Sequence, residues 1–198
     1  REALKLIDAY KFGIAIATKS ALITRDIDIL SRIASHSATL VKITITTADD
    51  ELAKKVEPNV SSPSERFLAI NELSRAGIFS GILLMPVLPF IEDNPENITS
   101  IVKKASVAGA KFIYPAMGMT LRSNQRDYYY AKLDNLFPGI KERYIKTYGT
   151  SYNCASEKAA ELYTLFKNEC TKYGILYKMR DIITEYQKAQ KNFTPTLF

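Results

Sequence analysis

Apolar residues along this chain gather in short runs of strand length, separated by longer stretches with helical spacing. Five runs predict strands: Phe12 to Ala17, Leu40 to Ile45, Ile78 to Met85, Lys111 to Tyr114 and Gly174 to Tyr177. Between them, Arg25 to Ser35 sets Ile27, Leu30, Ile33 and Ala34 on one helical face, and Pro63 to Ala76 does the same with Phe67, Ile70 and Leu73. Ser62 followed by Pro63 and Glu65 combines a side-chain cap, a first-turn proline and an acid at the third helical position. Gly77 and Gly109 supply C-terminal stops. Further helices are predicted over Glu2 to Tyr10, Pro95 to Ala108, Ala155 to Lys172 and Arg180 to Lys191. Alternating strands and helices point to βα units on a parallel sheet.

After Pro115 the rhythm breaks. Arg122 to Tyr148 is rich in Tyr, Arg and Lys and reads as a helical excursion of at least two helices. Tyr128, Tyr129 and Tyr130 are consecutive, so on a helix they point three ways and cannot form one stacking platform. The expectation is a single domain over residues 1–198, with core βα units from about residue 12 to 115 and the excursion, last strand and final helix beyond.

Chemistry in parallel α/β folds gathers at the C-terminal ends of the strands. The first strand ends in Thr18-Lys19-Ser20. Along the second, Lys42, Thr44 and Thr46 alternate with Ile43, Ile45 and Thr47; such a polar row cannot face an apolar helix layer and should line a lumen. On the first strand Gly13, Ala15 and Ala17 share the face of Lys19, leaving room for a ligand beneath an ammonium. Glu57 and Arg66 suit either a structural pair holding a loop, or an Arg66 that binds a ligand carboxylate. The single His36 reads as a surface residue or helix cap.

Composition changes this picture little. The chain has 198 residues and a net charge of +6 from scattered Lys and Arg, compatible with an anionic partner such as nucleic acid and equally with solvated helix faces. Cys154 and Cys170 lie 16 positions apart, which is no metal-ligand spacing by itself, and read as structural thiols in a buried helix. The longest apolar run, Gly77 to Phe90, falls short of the roughly 18 residues a membrane span needs, so no transmembrane segment is expected. The chain opens on Arg1, directly into a helix, and reads as a cut inside a longer protein.

Ala17-Thr18-Lys19-Ser20, Arg25-Asp26, Ile43 to Thr47, Glu57-Pro58, Ser64-Glu65-Arg66, Ala76-Gly77-Ile78, Pro86-Val87-Leu88-Pro89 and Ala108-Gly109-Ala110, in this order, resemble the radical S-adenosylmethionine (SAM) proteins grouped with spore photoproduct lyase and labelled DNA repair photolyase. The resemblance implies an α/β fold, an incomplete TIM-type parallel βα barrel with extra C-terminal helices. It also implies a [4Fe-4S] cluster and SAM in the full-length protein and an external electron donor; the lack of a basic, apolar leader in this sequence favours a cytoplasmic location. The substrate stays open, nucleic acid among the candidates. The family's Cys-x3-Cys-x2-Cys loop is absent from this sequence. Neither cofactor is therefore expected bound in this fragment, which is expected to be inactive without an upstream cluster segment and one further strand. By resemblance, Lys19, Ser20, Thr44, Thr46 and Arg66 hold SAM. Two rivals stand beside this: a non-radical barrel enzyme using Lys19 as base or Schiff-base lysine, and a nucleic-acid-binding module built on Arg122, Arg126 and Lys132.

Overall fold

In the computed structural model, which describes residues 1–188, four parallel strands lie side by side in chain order. They are β1 (Ile14–Thr18), β2 (Thr39–Thr44), β3 (Phe79–Leu84) and β4 (Phe112–Pro115). One row of the register runs Ala17, Lys42, Gly81, Phe112. The crossovers are helical: a 3₁₀ turn (Ala21–Asp26) and α2 (Ile27–His36), then α3 (Asp50–Val56) and α4 (Pro63–Arg75), then α5 (Pro95–Ala108). A short helix, α1 (Glu2–Ala9), precedes β1 and packs on α2.

Alternation along the strands sorts the two faces. Val41, Ile43, Ile82, Leu84 and Ile113 turn one way and pack with Ile29 and Ile33 of α2, Ile70 and Leu73 of α4, and Ile98 and Ile101 of α5 in one buried cluster. The other face carries Ala15 and Ala17, both exposed, and the half-buried Lys42. Gly81 belongs to this face because the Phe112 ring lies across it: a Cβ there would meet Phe112 O at 2.3 Å and the ring carbons at 2.6 and 2.7 Å. Phe112 in turn stacks on Phe79, with centroids 5.5 Å apart.

The predicted capping box forms in full. The Ser62 side chain accepts from Glu65 N, and the Glu65 carboxylate accepts from Ser62 N. The helix α3 was not foreseen; the Asp49 side chain starts it by accepting from the backbone N of Glu51 and Leu52.

The expected fifth strand, Gly174 to Tyr177, is reduced to one parallel bridge between Phe112 and Leu176. Its reach is cut from both sides, because α8 (Ala159–Tyr173) ends in the left-handed Gly174 and α9 (Met179–Gln187) begins five residues later. A second departure is a two-stranded antiparallel ribbon, β5 (Gly118–Thr120) with β6 (Asn153–Ala155), which takes the first residue of the helix expected from Ala155. The last part of the helix expected over Arg180 to Lys191 lies outside the described residues.

α8 packs against α5 and adds Leu162, Phe166 and Cys170 to the main cluster. α9 crosses the other face of the sheet, where Ile182 and Tyr186 cover Leu40, Phe79 and Phe112 at the N-terminal ends of the strands. The excursion forms α6 (Ser123–Leu136) and α7 (Ile140–Tyr148), with a separate core of Leu121, Tyr130, Leu133, Tyr144 and Cys154. The tyrosine run diverges as expected, with Tyr128 exposed and Tyr130 buried. Cys170 is a buried helical thiol, whereas Cys154 sits on β6 and not in a helix; both are free. No helix among the described residues is long and apolar enough to cross a membrane.

Candidate functional site

Lys19, just past the end of β1, forms an ion pair with Glu57 from the loop after α3. The other oxygen of Glu57 accepts from Arg66 Nη2 at 2.8 Å. One carboxylate therefore bridges an ammonium whose side chain is 41% exposed and a guanidinium whose side chain is 2% exposed. Burial works to raise the Glu57 carboxyl, but hydrogen bonds from Lys19 and Arg66 outweigh it and hold the group below the ordinary carboxylate range.

Arg66 is fixed from three sides. Beyond Glu57, its Nη1 donates to Thr44 O and its Nε to Ser61 O, both at 2.8 Å. Of the two roles open to Arg66 in the sequence, the geometry realises the structural pair: it ties the end of β2 to the loop carrying Glu57. Ser20 caps the 3₁₀ turn, its hydroxyl accepting from Leu22 N at 3.2 Å. Thr44 and Thr46 are both buried.

Thr46 leads to a residue the sequence did not flag. Its hydroxyl donates to Glu92 at 2.8 Å, and the second Glu92 oxygen accepts from Leu88 N at 2.9 Å. Glu92 has no solvent exposure, and desolvation pushes its carboxyl up to about 7 against those two hydrogen bonds. Asn97 clamps the same corner, donating to Thr46 O at 2.8 Å and Glu92 O at 2.9 Å while accepting from Ala48 N at 3.0 Å. Behind Glu92 lies an aromatic knot. Tyr129 OH donates to Tyr144 OH at 3.0 Å, and Tyr144 OH donates to Pro89 O at 3.1 Å. Burial raises both phenols, Tyr129 to about 12.

Farther along the C-terminal rim, Met85, Met117 and Met119 line a cavity of about 480 Å³ between the ends of β3 and β4 and the ribbon. The rim is thus charged beside β1 and β2, and apolar beside β3 and β4.

The other candidates lie elsewhere. His36, the last residue of α2, bonds Asp8 at 2.9 Å and Ser37 at 2.8 Å and pins α1 to α2. Arg126 donates to the carbonyls of Leu121, Thr150 and Ser151, bracing the ribbon from α6. Among the described residues, no three His, Cys, Asp or Glu side chains converge as a metal site.

The parallel sheet, with helical crossovers and polar groups at its C-terminal rim, has the form of a partial βα barrel. Spore photoproduct lyase complexed with dinucleoside spore photoproduct shares it at a TM-score of 0.64 and 15% identity, over 87% of this chain and 52% of that one. A variant of the lyase with bound AdoMet and dinucleoside spore photoproduct matches equally well. In sequence, the chain is 27% identical over 135 residues to uncharacterized proteins of Mycobacterium bovis (Mb2609c) and Mycobacterium tuberculosis (Rv2578c), covering 68% of this chain and 39% of each of those. It is 26% identical over 105 residues to ORF301 of Acidianus two-tailed virus, 52% of this chain and 34% of that protein. No family profile matches. The chain therefore spans about two-fifths of the mycobacterial proteins and about half of the lyase.

Proposed function

We propose that this chain is the C-terminal part of a radical SAM enzyme of the spore photoproduct lyase type, in which the rim beside β1 and β2 holds the methionine moiety of SAM. What supports this most is the Lys19–Glu57 pair above the small-residue face of β1. It sets one ammonium and one carboxylate side by side, which suits the two opposite charges of an amino-acid head group. Exposed Ala15 and Ala17 leave space beneath them. Lys19 binds the carboxylate, Thr44 and Ser20 lie along the same rim, Thr46 acts through its bond to Glu92, and Arg66 is a positioning residue acting through Glu57.

The residues present fit SAM but do not fit an iron-sulfur cluster: Cys154 and Cys170 are buried in different hydrophobic clusters. The proposal therefore places the cluster ligands, an electron donor's docking site and the bond-breaking chemistry in a preceding segment of the complete, cytoplasmic protein. By itself this chain binds and orients. A nucleic-acid substrate would suit the charge of +6 and accords with the dinucleoside bound by the lyase.

Replacing Lys19 tests the assignment in the complete, reconstituted protein. Lys19→Met keeps the stem and removes the charge. With the side chain 41% exposed, water screens part of the interaction, and SAM affinity should fall about tenfold by calorimetry while the cluster's absorbance is retained. Unchanged affinity refutes the role of Lys19, and trapping of a borohydride-reduced adduct on Lys19 would favour the Schiff-base rival.

A further inference from the structure

α6 does more than extend the fold. Between α6, the end of α3 and the loop before α5 lies an aromatic slot of about 200 Å³. Its inner part is apolar and firmly built. Leu88 and Leu133 are buried, and the Tyr129 ring is anchored through its hydroxyl to Tyr144. Phe137 contributes a second aromatic wall. Lys55 and Lys132 stand at the mouth, Lys132 with its ammonium 5.4 Å from the Tyr128 ring centroid.

Two features say what this slot takes. The first is size: an engineered protein cavity of about 150 Å³ holds one benzene, so this slot suits one substituted ring, and a ring-plus-sugar ligand would overfill it. The second is charge. Glu57 is engaged by Lys19 and Arg66, and Asp134 by Lys141 at 2.6 Å. Among the described residues neither Lys55 nor Lys132 has a carboxylate partner, so two ammoniums flank an apolar opening without internal neutralisation. A preformed apolar pocket with a few polar groups at its edge is the usual form of a small-ligand site, and its rigid walls lower the ordering cost of binding.

We propose that the slot between α3, α6 and the loop before α5 binds a single-ring aromatic anion, the ring against Tyr129, Leu133 and Phe137 and the anionic group between Lys55 and Lys132. Every residue named for this site belongs to the chain itself, so it can be tested on the chain alone with no cofactor present. Saturation-transfer NMR and calorimetry would compare benzoate and phenyl phosphate with benzyl alcohol, which keeps the ring, and acetate, which keeps the charge. Benzoate or phenyl phosphate should bind at least about tenfold more tightly than either control, and which of the two binds better identifies the anionic group.

Lys55→Met and Lys132→Met should each weaken binding about two- to fivefold, the range for exposed ion pairs, and added salt should do likewise. Leu136→Trp, at the half-open rim, should block binding altogether while the circular dichroism spectrum stays that of the parent. Equal binding of benzyl alcohol, no saturation transfer from either anion, or full binding by Leu136→Trp overturns the proposal. So does oligothymidylate that binds through Lys55 and Lys132 more tightly than any single ring, since that marks a nucleic-acid surface instead.

Discussion

Replacing Glu92 by Gln should make this protein more stable in weak alkali and leave it nearly unchanged in weak acid. The carboxyl is raised from 4.5 to about 7 by full burial, with the charge of Glu57 adding to the effect. In the unfolded chain it ionises near 4.5. Between these values the folded protein holds a proton that the unfolded chain has released, so raising the pH favours unfolding. Glu92's favourable contribution is complete below about pH 4.5 and is lost as the pH climbs through 7. The displacement corresponds to about 3 kcal/mol, at about 1.4 kcal/mol per pH unit.

Gln cannot ionise. Its carbonyl can still accept from Leu88 N, and its amide can donate to Thr46 once that hydroxyl turns. The second amide hydrogen has no evident partner and costs about 1 kcal/mol. The net expectation is a gain of about 2 kcal/mol at pH 8, or about 4 to 8 °C in melting temperature for a chain of this size. At pH 4.5 the variant should equal the parent or fall slightly below it. Urea and thermal unfolding of both proteins across this range decide the matter. A difference between them that does not change with pH refutes the buried, proton-holding Glu92.

Two further substitutions probe the frame around the site. Gly81→Ala forces a methyl group onto the Phe112 carbonyl and ring and should destabilise by about 3 kcal/mol; a neutral result in urea unfolding would contradict the contact between the strands. Tyr144→Phe removes the hydroxyl joining Tyr129 to Pro89 and should destabilise by about 1 to 3 kcal/mol, with loss of near-ultraviolet tyrosine dichroism and little change in helix content.

The four parallel strands and their main crossover helices, though not α3, were legible because each strand is a compact apolar run and those helices carry local start and stop signals, such as Ser62 with Glu65 and the left-handed Gly109. The Gly174 to Tyr177 run misled because its composition suits a strand while two helices leave it almost no length. The three-residue strands β5 and β6 are too short for alternation to register. At the rim, Glu57 with Arg66 could be paired by type though not by distance. Glu92 could not be found this way. In sequence it is one acid in a polar loop, and only the folding of Leu88 and Thr46 around it makes it a buried carboxyl.

The position of α9 makes the two ends of the sheet unlike. With Ile182 and Tyr186 seated over Leu40, Phe79 and Phe112, the N-terminal end of β2, β3 and β4 is covered by hydrocarbon on that face. The C-terminal rim, with Lys19 and the methionines, and the β1 edge, where Ala15 and Ala17 are exposed, are left uncovered by α9.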